Sequence, residues 1–200
     1  AKLIDAGNMH IHVDLVAGLP FEDIKSFRES FNNAYDISPH NIQLGFLKLL
    51  KGTDLRVYYA KYGYVFRNYP PYEILRSGSM TYGELNLLKD IEGVLERYYN
   101  SGRFRTSLRL FTEALYDDAF IFLTDFSRFN REKGYLQRPQ SSERLYTIML
   151  EFMESRFPSN EQPAMQLNEL LKLDYLRTHI SGQLPEGIRP AINEELFKRS

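Results

Sequence analysis

The chain has 200 residues, 25 basic and 26 acidic side chains, a net charge of −1 and no cysteine. This balance gives no overall field to recruit nucleic acid, and without thiols these residues supply no disulfide, no thiolate metal site and no cysteine nucleophile. No apolar run approaches the ~20 residues that span a membrane, and no leader pattern is visible, so a soluble cytoplasmic protein with no membrane partner is expected.

The stretch "AKLIDAGNMHIH" opens without an initiator Met, as if entered in the middle of an element, and a piece of a longer protein is expected. "IHVDLVAG" (11–18) is apolar and β-branched, which predicts a strand. Pro20 sits where a helix can begin. Phe21, Ile24, Phe27, Phe31 and Tyr35 then recur on one helical face, with Glu22 and Asp23 in the first turn, where the dipole favours acids. Pro39 disfavours helix at Ser38. "NIQLGFLKLL" (41–50) predicts a second strand. Strand, helix and strand within ~40 residues make a βαβ unit, with parallel strands and a right-handed crossover.

After Thr53 the character changes. Residues 54–63 predict a short helix ending at Gly63, and 64–78 a hairpin or extended arm around Pro70-Pro71. From Met80 a helix follows, with Leu85, Leu88, Ile91, Leu95 and Tyr98 as its stripe and Gly102 as its end. Residues 104–134 read as one long buried helix. A further helix begins at a cap on Ser141 or Ser142 and stops at Pro158, another runs from Pro163 to Ile180, and 193–200 are a short or frayed helix. The expected fold class is an α/β fragment, the last βαβ of a partial barrel, followed by a mainly α-helical domain. Its divisions are 1–53, a connecting helix and arm over 54–79, and a helical domain over 80–200. One βαβ unit cannot bury both faces of its strands. Residues 1–50 are therefore expected to expose apolar faces and to rearrange, self-associate or lose order in part.

The candidate sites are few. His10 and His12 share one side of the first strand, but no third ligand for a catalytic zinc is evident, and ordinary strand polarity is the favoured reading. Asp14, between Val13 and Leu15, lies near the strand's C-terminal end, where α/β folds bind ligands. It reads equally as a structural carboxylate accepting N–H groups of the Gly-Leu-Pro turn. Gly18 permits a special backbone conformation or close approach. Lys48 belongs to a barrel interior, a sheet edge or the solvated surface. Arg103 and Arg105, in "YYNSGRFRTS", are an anion site or serve solubility. His179 lies five residues past Asp174, too far for one-turn pairing. No Ser-His-Asp set is readable, and a hydrolase using Asp14 with a histidine is the least favoured reading. A protein-interaction module with a Tyr/Arg-rich arm (58–76) is the alternative to an enzyme.

"HVDLVAGLPFED…SF", followed by "IQLGFLKLLKGT", resembles the later strands of radical S-adenosylmethionine enzymes, in their coproporphyrinogen-dehydrogenase-like and cobalamin-binding branches. "PPYEIL…YGELNLLKDIEGVLERYYNSGRF" resembles the uncharacterised C-terminal domain attached to cobalamin-binding members. Some of these are labelled by similarity to an anaerobic Mg-protoporphyrin IX monomethyl ester oxidative cyclase. The resemblance implies a partial (β/α) barrel whose strand around Asp14–Gly18 lines the S-adenosylmethionine pocket. Asp14 then makes a polar contact to the cofactor, Val16 and Gly18 lie near its adenosine, and Leu47 packs against the adenine. The family's CxxxCxxC cluster motif is absent from this chain. The motif is expected upstream, in an N-terminal part of the same polypeptide that is this chain's partner. By this resemblance the chain alone holds no catalytic or metal-binding residue. The parent enzyme would use S-adenosylmethionine and an iron–sulfur cluster, with cobalamin a further candidate, and the helical domain would cover the barrel mouth.

Overall fold

The computed structural model describes residues 10–158, 161–179 and 184–188. The β-branched run forms β1 (His12–Ala17), and the stretch after His40 forms β2 (Asn41–Phe46). They pair in parallel, from His12 opposite Asn41 to Ala17 opposite Phe46, as a βαβ unit requires. The intervening helix α1 (Ile24–Asp36) begins at Ile24, not Phe21. Asp23 is its N-cap and accepts from the amides of Lys25 and Ser26, while Ser26 Oγ accepts from the Asp23 amide. This reciprocal box fixes the start. Phe21 is left outside the helix at φ 65° and 81% exposed, and the first helical turn carries no acid.

Alternation sorts the strand residues onto two faces. Val13, Leu15 and Ala17 share one with Ile42, Leu44 and Phe46, and it packs into the core with Phe27 and Phe31 of α1. On the other face His12, Asp14, Val16 and Gln43 are exposed. The expectation of exposed apolar faces therefore needs correction. The chain's own helices cover the apolar face, and the open one is polar apart from Val16.

The two outer edges of the strand pair differ. On the β2 side the Asn100 side chain accepts from the Ile42 N–H at 3.0 Å and donates to the Ile42 carbonyl at 3.1 Å, as a neighbouring strand would. Further along, the Ile74 N–H donates to the Leu47 carbonyl and the Leu49 N–H to the Tyr72 carbonyl, both at 2.9 Å. The outer edge of β1 has no backbone partner among the described residues.

The connecting segment forms α2 (Leu55–Tyr58), a 3₁₀ turn (Tyr59–Tyr62) ending at Gly63 with φ 65°, and a hairpin of β3 (Val65–Phe66) and β4 (Ile74–Arg76) around a cis Pro70-Pro71 bond. The rest is helical. Helix α3 (Tyr82–Val94) starts at a Thr81/Glu84 capping box and passes into a π-helical segment, Leu95–Tyr99. Its predicted stripe, Leu85, Leu88, Ile91, Leu95 and Tyr98, is buried.

The single helix expected over 104–134 is two. Helix α4 (Arg105–Arg109) continues as a π-helical segment to Leu115, and α5 (Ala119–Glu132) begins after a break. Asp118 makes the break. It accepts the Ile121 N–H at 2.8 Å as N-cap, and it ion-pairs with Arg28 of α1. A short acid that takes helix-start amides competes with helix continuation. Beside it, Asn32 of α1 accepts the Phe120 N–H at 3.0 Å. Helix α6 (Ser142–Arg156) is capped by Ser141, and α7 is Glu161–Thr178. Buried Asp174 of α7 accepts the Ser107 N–H and hydroxyl, both at 2.8 Å, and so caps α4 from across the bundle. One hydrophobic core runs from Ala17 to Ile188. The tail helix expected over 193–200 lies outside the described residues.

Candidate functional site

The site begins on the open face of the parallel strands and runs to their C-terminal ends. Asp14 is exposed and makes no hydrogen bond or ion pair among the described residues. The reading in which it accepts amides of the Gly-Leu-Pro turn does not hold. Those amides face Glu22 instead. Burial pushes the Glu22 carboxyl above its usual range, although the Leu19 and Gly18 amides pull the other way. Its Oε2 is buried without a partner among the described residues. Val16, next on Asp14's side of the strand, is 40% exposed.

Gly18 is buried at φ 89°, and a Cβ there would lie 2.6 Å from Ile74 Cδ1. The glycine is thus required twice, by its backbone angle and by the arm packed on it. Its carbonyl accepts the Tyr64 hydroxyl at 2.9 Å, and burial pushes that phenol up to about 12, which keeps it a donor. Leu47 is half-buried against the core, and its N–H donates to the Ala17 carbonyl at 3.1 Å. Asp14 and Val16 therefore lie open, while Gly18 and Leu47 are engaged by packing at the strand ends. In the segments that follow the strands, Leu19, Phe21, Leu50, Val57 and Tyr58 are each exposed.

Lys48 is exposed at a sheet edge, where its backbone bridges to Glu73, whose carboxylate ion-pairs with Lys89. His10 Nδ1 lies 2.8 Å from His12 Nε2, and His40 packs on His10 with ring centroids 4.3 Å apart. Burial first, then His40, His12 and Arg105, holds the His10 pKa down. No group of three histidine or acidic residues among those described has the arrangement to hold a metal ion. None of the described helices is long and apolar enough to cross a membrane.

Residues 60–199 match the family model described as Protein of unknown function (DUF4080). The chain belongs to that family. No curated protein matches it. The DUF4080 segment contributes the clamp on the strand ends, Tyr64 and Ile74, and the edge plug, Asn100, whereas β1, α1 and β2 precede it. Sequence reasoning missed Glu22, Tyr64, Ile74 and Asn100 as parts of this region. A Glu directly after Gly-Leu-Pro-Phe was the one local signal. The other three act across the fold and carry none.

Proposed function

We propose that this DUF4080 protein is the C-terminal part of a radical S-adenosylmethionine enzyme of the cobalamin-binding type, with β1–α1–β2 as the last strands of a partial (β/α) barrel. One observation carries the reading: the parallel pair is finished on every side but two. Its apolar face is buried and its β2 edge is plugged by Asn100, while the β1 edge and the polar face stay open. Consecutive barrel strands are neighbours, so further strands belong beside β1, upstream in sequence. The matched domain is one found in radical S-adenosylmethionine and cobalamin-type proteins, which supports the same reading.

Asp14 suits a hydroxyl or ammonium donor of S-adenosylmethionine, because its carboxylate is unengaged among the described residues and faces the open side. Val16 offers apolar surface to the adenosine, and Gly18 and Leu47 shape the end of that surface. With no cysteine, these residues give the iron–sulfur cluster no thiolate; its ligands belong to the upstream part. Cluster and S-adenosylmethionine together would supply radical chemistry, with cobalamin a further candidate cofactor of the parent. The arm on Gly18 and the helices behind it cover the barrel mouth, limiting water and substrate access. Calorimetry on the anaerobically reconstituted full-length polypeptide tests this. S-adenosylmethionine should bind, and Asp14→Ala should weaken it about tenfold or more. No binding, or equal binding by the variant, contradicts the proposal.

A second reading, a non-catalytic interaction module, draws on exposed Tyr58 and on exposed Tyr69 with Arg67 beside its ring. Tyr64 and Ile74 of the same arm are buried against the chain's own core, which favours the first reading.

A further inference from the structure

A cleft of about 350 Å³ opens at the opposite end of the strand pair, where His40 precedes β2. One wall is α4 and its continuation, through Arg105, Leu108 and Thr112, and the other is the end of α1, through Tyr35 and Ser38. Its chemistry is cationic and donor-rich. Arg105 makes no ion pair or hydrogen bond among the described residues. His40 Nδ1 accepts the Ile11 N–H at 3.1 Å, so the neutral ring carries its proton on Nε2 and donates from there.

The carboxylate on the lining is already engaged, whereas Asp36 at the end of α1 acts on Tyr35 from nearby. Glu113, the carboxylate on the lining, is held by Arg109 through Nε at 2.7 Å and Nη2 at 3.2 Å. Of the carbonyls at the end of α1, that of Tyr35 accepts the Ser38 N–H and that of Pro39 the Tyr99 hydroxyl. Tyr35 and Tyr99, with ring centroids 5.1 Å apart and planes tilted by 48°, add aromatic surface beside the donors. The lining thus carries a guanidinium from α4 and, from the loop between α1 and β2, an imidazole N–H and the Ser38 hydroxyl, donors enough for the several oxygens of a phosphate.

We propose that this cleft binds a small phosphate monoester carrying a flat apolar group, with Arg105 as its principal charge partner. The assignment does not depend on the radical-enzyme reading, since the cleft lies away from the strands' C-terminal ends. Isothermal titration of the purified protein with phenyl phosphate tests it, with benzoate as the carboxylate of the same ring. Phenyl phosphate should saturate and bind more tightly than benzoate. Arg105→Gln should weaken it about tenfold or more, with Arg105→Lys in between. Arg105 is exposed, so the unfolding temperature of either variant should match the native protein. No saturation up to about 10 mM, a concentration that would leave any affinity negligible, overturns the proposal. So does equal binding by Arg105→Gln, or benzoate binding as tightly as phenyl phosphate.

Discussion

Gly18 and Glu22 show how a five-residue turn is fixed from a distance. The positive φ at Gly18 is local, but the space its missing side chain leaves is filled by Ile74. Gly18→Ala should lower stability by about 1–2 kcal/mol in urea unfolding, from backbone strain plus the clash. Adding Ile74→Val, which removes the clashing Cδ1, should recover part of that loss, and purely additive effects would refute the packing argument. Glu22 yields a pH signature. Its folded pKa lies above the ordinary 4.5, so the folded state is favoured below that value and loses stability as pH rises through the raised one. Glu22→Gln should therefore stabilise the protein at pH 7 by a few tenths to about 1 kcal/mol, discounted for its partial exposure. The gain should fade below the ordinary value, as followed by melting temperature against pH. Gly18 and Asp14 stood out in the sequence because each broke an apolar run. Tyr64, 46 residues from Gly18, left no mark there, because a hydroxyl-to-carbonyl bond imposes no pattern.

Among the elements, the βαβ unit, the arm and most helices were legible because their periodicities of 2 and 3.6 are strong. What escaped were the junctions. The run 104–134 is apolar enough to read as one helix, yet Asp118 divides it and ties the new start to Arg28. Asn100 was equally silent: an Asn after Tyr-Tyr looks like a helix end, and only the fold brings it onto β2. Replacing it by Ala removes both hydrogen bonds to Ile42 and should cost about 1–2 kcal/mol. Amide exchange at Ile42 should quicken more than at α6, and uniform quickening would argue against an edge role.

Taken whole, the described residues set a two-stranded parallel sheet on a helical bundle through one hydrophobic core. The chain prepared alone should associate through the free β1 edge, giving a light-scattering mass above that of one chain. Val16→Lys, beside Asp14 on the open face, should shift it toward monomer, and a native monomer at all concentrations would count against an edge that recruits strands. That the two strands pair in parallel was readable from their spacing and pattern. Which edge is left free was not, since it depends on Asn100 and on the arm. If the proposed parent is right, upstream strands complete this sheet and an upstream cysteine motif holds the cluster. The most direct test is the coding sequence upstream of the Ala1 codon. An in-frame CxxxCxxC triplet followed by alternating strands and helices is expected there. A start codon at Ala1, or an upstream segment without that triplet, would contradict it.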